Sequence, residues 1–282
     1  MRGMRSQQAR TRSDAIAMTK RALKERLRSG EICTGTFLLF LSGGDVVQFF
    51  AGLGFDYLII DMEHGSLDLS RAREMMLVAR ACGVAPIVRV SEAQYSLVTR
   101  ALDAGAEGIV LPRVETRAQC QDLVRFARYT PLGERGVTTF GGHNDYRPVA
   151  DVPGFLAERS RNILLIVQIE TRAGLENSDE ILSEPGIDGC LIGTGDLSLS
   201  LGYPGQVNHP DVIAAAEKIF AKCREKNLLW TIPIRNPDET ARWQASGMNM
   251  LSLTTDGGLL AAGARLFLSS VRRGPATAAT PA

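Results

Sequence analysis

Eight short apolar runs, each followed by a helical stretch, recur along the 282-residue chain, and this alternation constrains the fold more than any other feature. The runs cover 34–39, 57–60, 86–90, 108–111, 164–169, 189–192, 229–234 and 250–253. Uninterrupted apolar runs of this length suit strands covered on both faces. Amphipathic stretches such as 69–82, 93–104, 116–128 and 210–226 are long enough for the crossovers that parallel strands need. Eight such units without a break in composition predict an α/β chain of (β/α)8 barrel type. No GxGxxG follows the first run, so a dinucleotide-binding sheet is not indicated. A basic helix over 19–29, stopped by Gly30, precedes the series. One connection breaks the rhythm: 129–163, with Gly133, Gly136, Gly141, Gly142 and three prolines, reads as a long functional loop.

Composition narrows the functional classes. With 45% hydrophobic and 22% charged residues the chain is an ordinary globular sequence, and a net charge of +1 offers no field for nucleic acid or an anionic membrane. No apolar run approaches the roughly 18 residues of a spanning helix. Cys33, Cys82, Cys120, Cys190 and Cys223 stand apart with no CxxC pair, as expected of buried thiols in a reducing, cytoplasmic compartment. Residues 1–18 carry four arginines before their first acid but lack the apolar core of a secretory signal, and read as a disordered extension. Residues 273–282 read as a disordered tail, leaving 19–272 as one domain.

In a barrel of this kind chemistry gathers where the strands end. The fifth run delivers Gln168 and Glu170, and the sixth ends on Gly193-Thr194-Gly195-Asp196. The second ends on Asp61-Met62-Glu63-His64, the third on Arg89 and the fourth on Pro112-Arg113. Glu170 and Asp196, with no histidine or cysteine beside them, suit a hard cation such as Mg2+ or Mn2+. Zinc is disfavoured, because His64, His143 and His209 form no HxH or HExxH pair. The bland alternatives are an ion pair for Glu170 and a helix cap for Asp196. Arg89 can stabilise an oxyanion opposite such a cation, or merely pair with Asp61 or Glu63. His64 can carry a proton if an acid orients it, with Asp61 and Asp103 as candidates. No lysine ends a run, so Schiff-base chemistry is not expected.

At these residues the chain resembles the HpcH/HpaI family of metal-dependent pyruvate aldolases. The resemblance runs from about Gly35 to Leu266. It is carried by Gly-Phe-Asp-Tyr-Leu-Ile-Ile-Asp-Met-Glu-His, Pro-Ile-Val-Arg, Gly-Ile-Val-Leu-Pro-Arg-Val, Gly-Glu-Arg-Gly-Val, Val-Gln-Ile-Glu-Thr and Gly-Thr-Gly-Asp-Leu-Ser, in that order. It implies a barrel of the phosphoenolpyruvate/pyruvate-binding type and reversible cleavage of a 4-hydroxy-2-oxo acid to pyruvate and an aldehyde. Side decarboxylation of oxaloacetate is implied as well, and so is a place among enzymes of aromatic compound catabolism. Glu170 and Asp196 would ligate Mg2+ or Mn2+, with Co2+ as a further candidate and no organic cofactor. Backbone amides near Gly195 and Asp196 would hold the pyruvate carboxylate, and Gln168 would line the site. Arg89 would stabilise the enolate. His64, oriented by Asp103 and close to Asp61, would handle the hydroxyl proton. The family's trimers and hexamers imply a homo-oligomer, with a C-terminal helix over 257–272 packed on a neighbouring subunit.

The chain departs from the common family pattern at Met62, at Thr194-Gly195, at Phe37 and at Arg113. Arg113 leans toward the citrate lyase β-chain and malyl-CoA lyase group, and motivates an alternative: C–C lysis of an acyl-CoA or a dicarboxylate. A non-catalytic barrel that binds an oxo acid is the remaining alternative.

Overall fold

The computed structural model describes residues 21–272, so the expectations for 1–18 and 273–282 lie outside the described residues. A short helix, α1 (Leu23–Arg28), leads into β1 (Cys33–Leu38), α2 (Gly44–Gly52), β2 (Tyr57–Asp61), α3 (Leu69–Ala81), β3 (Ala85–Arg89), α4 (Tyr95–Ala104), β4 (Gly108–Leu111) and α5 (Arg117–Ala127). The second half comprises α6 (Val152–Asn162), β5 (Leu164–Ile169), α7 (Arg172–Glu176), α8 (Ser178–Leu182), β6 (Gly189–Ile192), α9 (Thr194–Leu201) and α10 (Pro210–Glu225). It ends with β7 (Leu229–Thr231), β8 (Pro233–Ile234), α11 (Pro237–Ala245), β9 (Met250–Thr255) and α12 (Asp256–Arg272).

The strands lie in the order β7-β6-β5-β4-β3-β2-β1-β9-β8. Only Ile232 separates β7 from β8, so the two ends of that order are halves of one segment. Its first half pairs with β6 through Leu229↔Gly189, and its second with β9 through Pro233↔Ser252. The parallel barrel therefore closes through the segment 229–234, and the predicted barrel is the observed one. All pairings are parallel, so the carboxyl ends of the strands share one face.

Side-chain alternation divides the interior into two layers. Tyr57, Ile59, Ile87, Val110, Ile166, Leu191 and Met250 fill the lumen. Leu58, Ile60, Val88, Ile109, Leu165, Val167, Ile232 and Ile234 pack outward with the helices. Truncating one of these buried aliphatics to Ala would cost about 2–5 kcal/mol. Gly35 is required where it stands, because a Cβ there would sit 2.2 Å from the buried Tyr57 ring. Asp68 caps α3 by accepting the Arg71 N–H at 2.8 Å, and Thr116 with Gln119 forms a capping box on α5.

The connection after α5 is shorter than the sequence suggests, because its last third is α6. Asp151 caps that helix, accepting the Gly154 N–H at 3.0 Å. None of the α6 residues is fully buried, so the apolar periodicity that announces a packed helix is missing there. At the other end, Asp256 Oδ2 accepts the N–H groups of Leu39, Phe40 and Leu41 at 3.1, 3.1 and 2.7 Å, tying the root of α12 to the loop after β1. Beyond Asp256 no residue of α12 is buried. Among the described residues no helix is long and apolar enough to cross a membrane.

Candidate active site

The alternation that puts Tyr57 and Ile59 in the lumen puts Asp61 above them, and the same parity brings Arg89, Gln168 and Glu170 to the barrel mouth. Asp61 is fully buried and grips Arg89 with both oxygens: Nε donates to Oδ1 at 2.8 Å and Nη2 to Oδ2 at 2.6 Å. Arg89 Nη1 lies 3.2 Å from Glu63 Oε2 and donates to Gln168 Oε1 at 3.5 Å. The guanidinium sits 5.0 Å from the centroid of the Phe37 ring. Burial alone would lower the Arg89 pKa, but Asp61, Glu63 and Glu170 outweigh it and raise it. Asp61 also accepts the Glu63 N–H at 3.0 Å, which fixes the turn carrying Glu63 and His64.

Glu170 is 2% exposed and has no ion pair among the described residues. Its Oε1 accepts the backbone N–H of Arg113 at 2.9 Å, and its Oε2 accepts from Gln168 Nε2. Burial pushes its pKa up, and the charges of Glu63 and Asp196 push the same way. Glu63 is also raised, again chiefly by burial. Asp196 is not the helix cap: Gly193 holds that position in α9 and Asp196 lies in the first turn. Its carboxylate makes no hydrogen bond or ion pair among the described residues. Gly193 leaves the space Glu170 occupies, since a Cβ there would meet Glu170 Oε2 at 2.2 Å.

This donor set fits a hard divalent cation. Glu63, Glu170 and Asp196 repel one another, and Arg89, already held by Asp61, is the one cation within ion-pair distance of Glu63 besides a protonated His64 among the described residues. Among the described residues no three His, Cys, Asp or Glu side chains form a ready-made ligand cluster. An ion held by two carboxylates would complete its shell with water and substrate oxygens, as Mg2+ commonly does.

The other anticipated residues are placed differently. His64 is exposed, with Nε2 3.7 Å from Glu63 Oε2. Within the chain Asp103 does not meet it: Asp103 Oδ1 accepts from Arg135 Nη2 at 2.6 Å, and its carbonyl faces His143 Nδ1 at 3.2 Å. His143, itself part of the long loop, is buried against the end of α4, and its pKa is lowered, chiefly by burial. Arg113 stands at φ +50°, in the left-handed region that favours glycine. Its N–H serves Glu170, while its exposed side chain makes no hydrogen bond or ion pair among the described residues.

The family model for HpcH/HpaI aldolase/citrate lyase matches residues 36–262. The chain belongs to that family. An HpcH/HpaI aldolase from Desulfitobacterium hafniense superposes with a TM-score of 0.86 at 30% identity, covering 90% of this chain and 98% of that one. A hydroxypyruvate/pyruvate aldolase from Roseobacter denitrificans is 34% identical over 253 residues, 85% of this chain and 95% of that protein. The 2-keto-3-deoxy-L-rhamnonate aldolase of Escherichia coli K12 is 32% identical over 242 residues, 85% of this chain and 89% of the relative. The citrate lyase beta subunit from M. tuberculosis, complexed with oxaloacetate and magnesium, shares the fold at 17% identity, with a TM-score of 0.51 over 81% of this chain and 93% of that one.

Two side chains in the mouth of this HpcH/HpaI barrel escaped the sequence reading as site residues. Glu63 entered it only as a pairing partner for Arg89, although its place between Asp61 and His64 was visible. Arg235 ends the run Ile232-Pro233-Ile234 just as Arg89 ends Pro86-Ile87-Val88, and that pattern was the available signal. Its Nη1 donates to Thr194 Oγ1 at 2.8 Å.

Proposed function

We propose that this HpcH/HpaI protein is a divalent-metal-dependent carbon–carbon lyase that cleaves 4-hydroxy-2-oxo acids reversibly to pyruvate and an aldehyde. One observation carries the reading: Glu170 and Asp196, neither capping a helix nor in an ion pair among the described residues, share the barrel mouth with the buried Arg89 guanidinium. Glu170 and Asp196 would hold Mg2+ or Mn2+, which when bound polarises the keto group of the oxo acid. In condensation a proton leaves the pyruvate methyl, the methyl carbon bonds to the aldehyde carbon, and the aldehyde oxygen takes up a proton. Cleavage runs the same changes in reverse. Arg89, held rigid by Asp61, presents donors where negative charge develops on the donor oxygen. Its guanidinium is aimed in advance, so no reorganisation is needed as charge builds. The imidazole of His64, open to solvent beside Glu63, takes and returns the hydroxyl proton. Backbone amides near Gly195 and Asp196 would receive the pyruvate carboxylate. The same donor-half chemistry would let oxaloacetate lose CO2 slowly.

Lysine takes no part in this reading. Lys24 pairs with Asp188, and Lys222 and Lys226 both pair with Asp179, away from the mouth. The exposed apolar side chains of α12, including Leu266 and Phe267, support assembly with further copies of the chain as a trimer or hexamer. The deciding experiment assays pyruvate plus a panel of aldehydes after EDTA treatment and after adding back Mg2+, Mn2+ or Co2+. Activity that needs the ion and survives borohydride with pyruvate supports the reading. Borohydride trapping of a covalent pyruvate adduct sinks it.

A further inference from the structure

We infer that Arg235 is a specificity-determining residue, its guanidinium receiving an anionic group on the aldehyde half of the substrate. The inference rests on the aldolase reading above and concerns the half of the reaction that Glu170, Asp196 and Arg89 leave unspecified.

Strand parity places this side chain. Ile232 and Ile234 are 4% and 3% exposed and pack outward among the helices. Pro233 and Arg235 therefore take the opposite parity, toward the lumen, where Thr231 two residues earlier bonds Ser252 Oγ at 3.0 Å. Arg235 is tethered from one side only, through Nη1 to Thr194 Oγ1. Its Nη2 lies 3.3 Å from where a Cβ on residue 195 would stand, so Gly195 keeps the space beside the guanidinium open.

Charge separates Arg235 from the other arginine in the mouth. Arg89 is neutralised by Asp61 and Glu63, whereas Arg235 has no carboxylate within ion-pair distance among the described residues. The nearest acidic influences on it are Glu239 and Asp196, and Asp196 is proposed to serve the cation. A guanidinium has five N–H donors in a planar fork matched to a carboxylate or phosphate, and most of this fork is unused. The donor acid has its recognition assigned to the groups on β2, β3, β5 and β6. Arg235 directly follows β8, the next strand segment around the barrel, and is exposed at the rim. An anionic aldehyde would supply the missing counter-charge.

The test compares wild type with Arg235→Leu and Arg235→Lys. Acceptors are 4-oxobutanoate and 5-oxopentanoate against their methyl esters, and glyceraldehyde 3-phosphate against glyceraldehyde. Deuterium exchange into the pyruvate methyl, measured without any aldehyde, reports the donor half alone. Arg235→Leu is expected to lower kcat/KM for an anionic acceptor about 10- to 100-fold, mainly through KM, with the neutral partner within about twofold and exchange unchanged. Arg235→Lys should retain part of the preference. Whichever acid class shows the effect identifies the anion as carboxylate or phosphate. Equal losses on charged and neutral acceptors, or no wild-type preference, would overturn the inference. So would slowed exchange with a raised KM for pyruvate, which would assign the guanidinium to the donor. Wild-type enzyme with no exchange at all would instead fail the aldolase reading, and the inference with it.

Discussion

Asp61 and Arg89 form a two-pronged ion pair across neighbouring strands, with contacts of 2.8 and 2.6 Å and almost no solvent on either side chain. The register pairs the two residues directly, so the final rung of the β2–β3 ladder aims the guanidinium. Breaking a buried pair leaves its other charge uncompensated, at a cost of about 3–5 kcal/mol. Asp61→Asn should therefore lower unfolding free energy by roughly that amount and kcat by about 100-fold or more. Arg89→Lys should do little better than Arg89→Ala in kcat, because an ammonium cannot make the fork. Denaturant titration and steady-state kinetics on the same preparations check both.

The acids give a pH dependence whose sign follows from their shifts. Burial raises Glu170 and Glu63 in the folded state, so folded protein holds these protons to higher pH than the unfolded chain does. Metal-free stability attributable to them is then present at low pH and lost as pH rises from about 4.3, the ordinary glutamate value, through the raised folded values. A divalent ion needs the deprotonated forms, so its stabilising effect should grow across that same window. Melting curves with EDTA and with Mn2+ from acid to neutral pH would show the two curves diverging upward. Glu170→Gln should abolish the divergence and raise the melting temperature of metal-free protein at neutral pH.

Arg113 can be tested apart from its charge. Its N–H bonds Glu170 at 2.9 Å and its backbone is left-handed, while its side chain makes no hydrogen bond or ion pair among the described residues. Arg113→Met should hold kcat/KM for aldol cleavage within about twofold, as for a surface substitution. Arg113→Gly should stabilise by up to about 1 kcal/mol by relieving the backbone. Arg113→Pro removes the N–H and imposes the wrong φ, and activity should fall at least about tenfold. A large effect of the Met variant on dicarboxylate or acyl-CoA cleavage would favour the alternative reading of this chain as a lyase of that kind.

What was legible in advance divides by the range of the interaction. The runs at 108–111, 164–169 and 189–192 match β4, β5 and β6, because a strand covered on both faces is written in consecutive residues. The break at Ile232 was not, since it depends on two different neighbouring strands. Nor was α6, which buries no side chain fully and so lacks the periodic signature. In the candidate site, Glu170 and Asp196 stood out because an acid at the end of an apolar run is conspicuous. Whether Asp196 caps α9 depended on where that helix begins, which Gly193 decides. Asp103 could not be assigned locally: its partner Arg135 lies 32 residues away, beyond α5. Arg235 carries the same local signal as Arg89, a cation directly after a short apolar run.

Helix α12 carries Leu260, Leu266, Phe267, Leu268 and Val271 at 53–78% exposure while its root is fixed by Asp256. Five large exposed apolar side chains on one helix exceed the scattered exposure normal for a monomer. A second copy of the chain is the proposed cover, and symmetric closure would give each copy the same protection. Replacing Leu266, Phe267 and Val271 together with Ser should shift the mass measured by light scattering from an oligomer to the monomer. The barrel should stay folded, because these residues contribute nothing to its core. Asp256→Ala is the complementary variant: it frees three backbone N–H groups of the loop after β1 and should loosen the root of the helix without altering its apolar face. A wild-type protein that is monomeric at micromolar concentration would overturn the assignment of this helix to assembly.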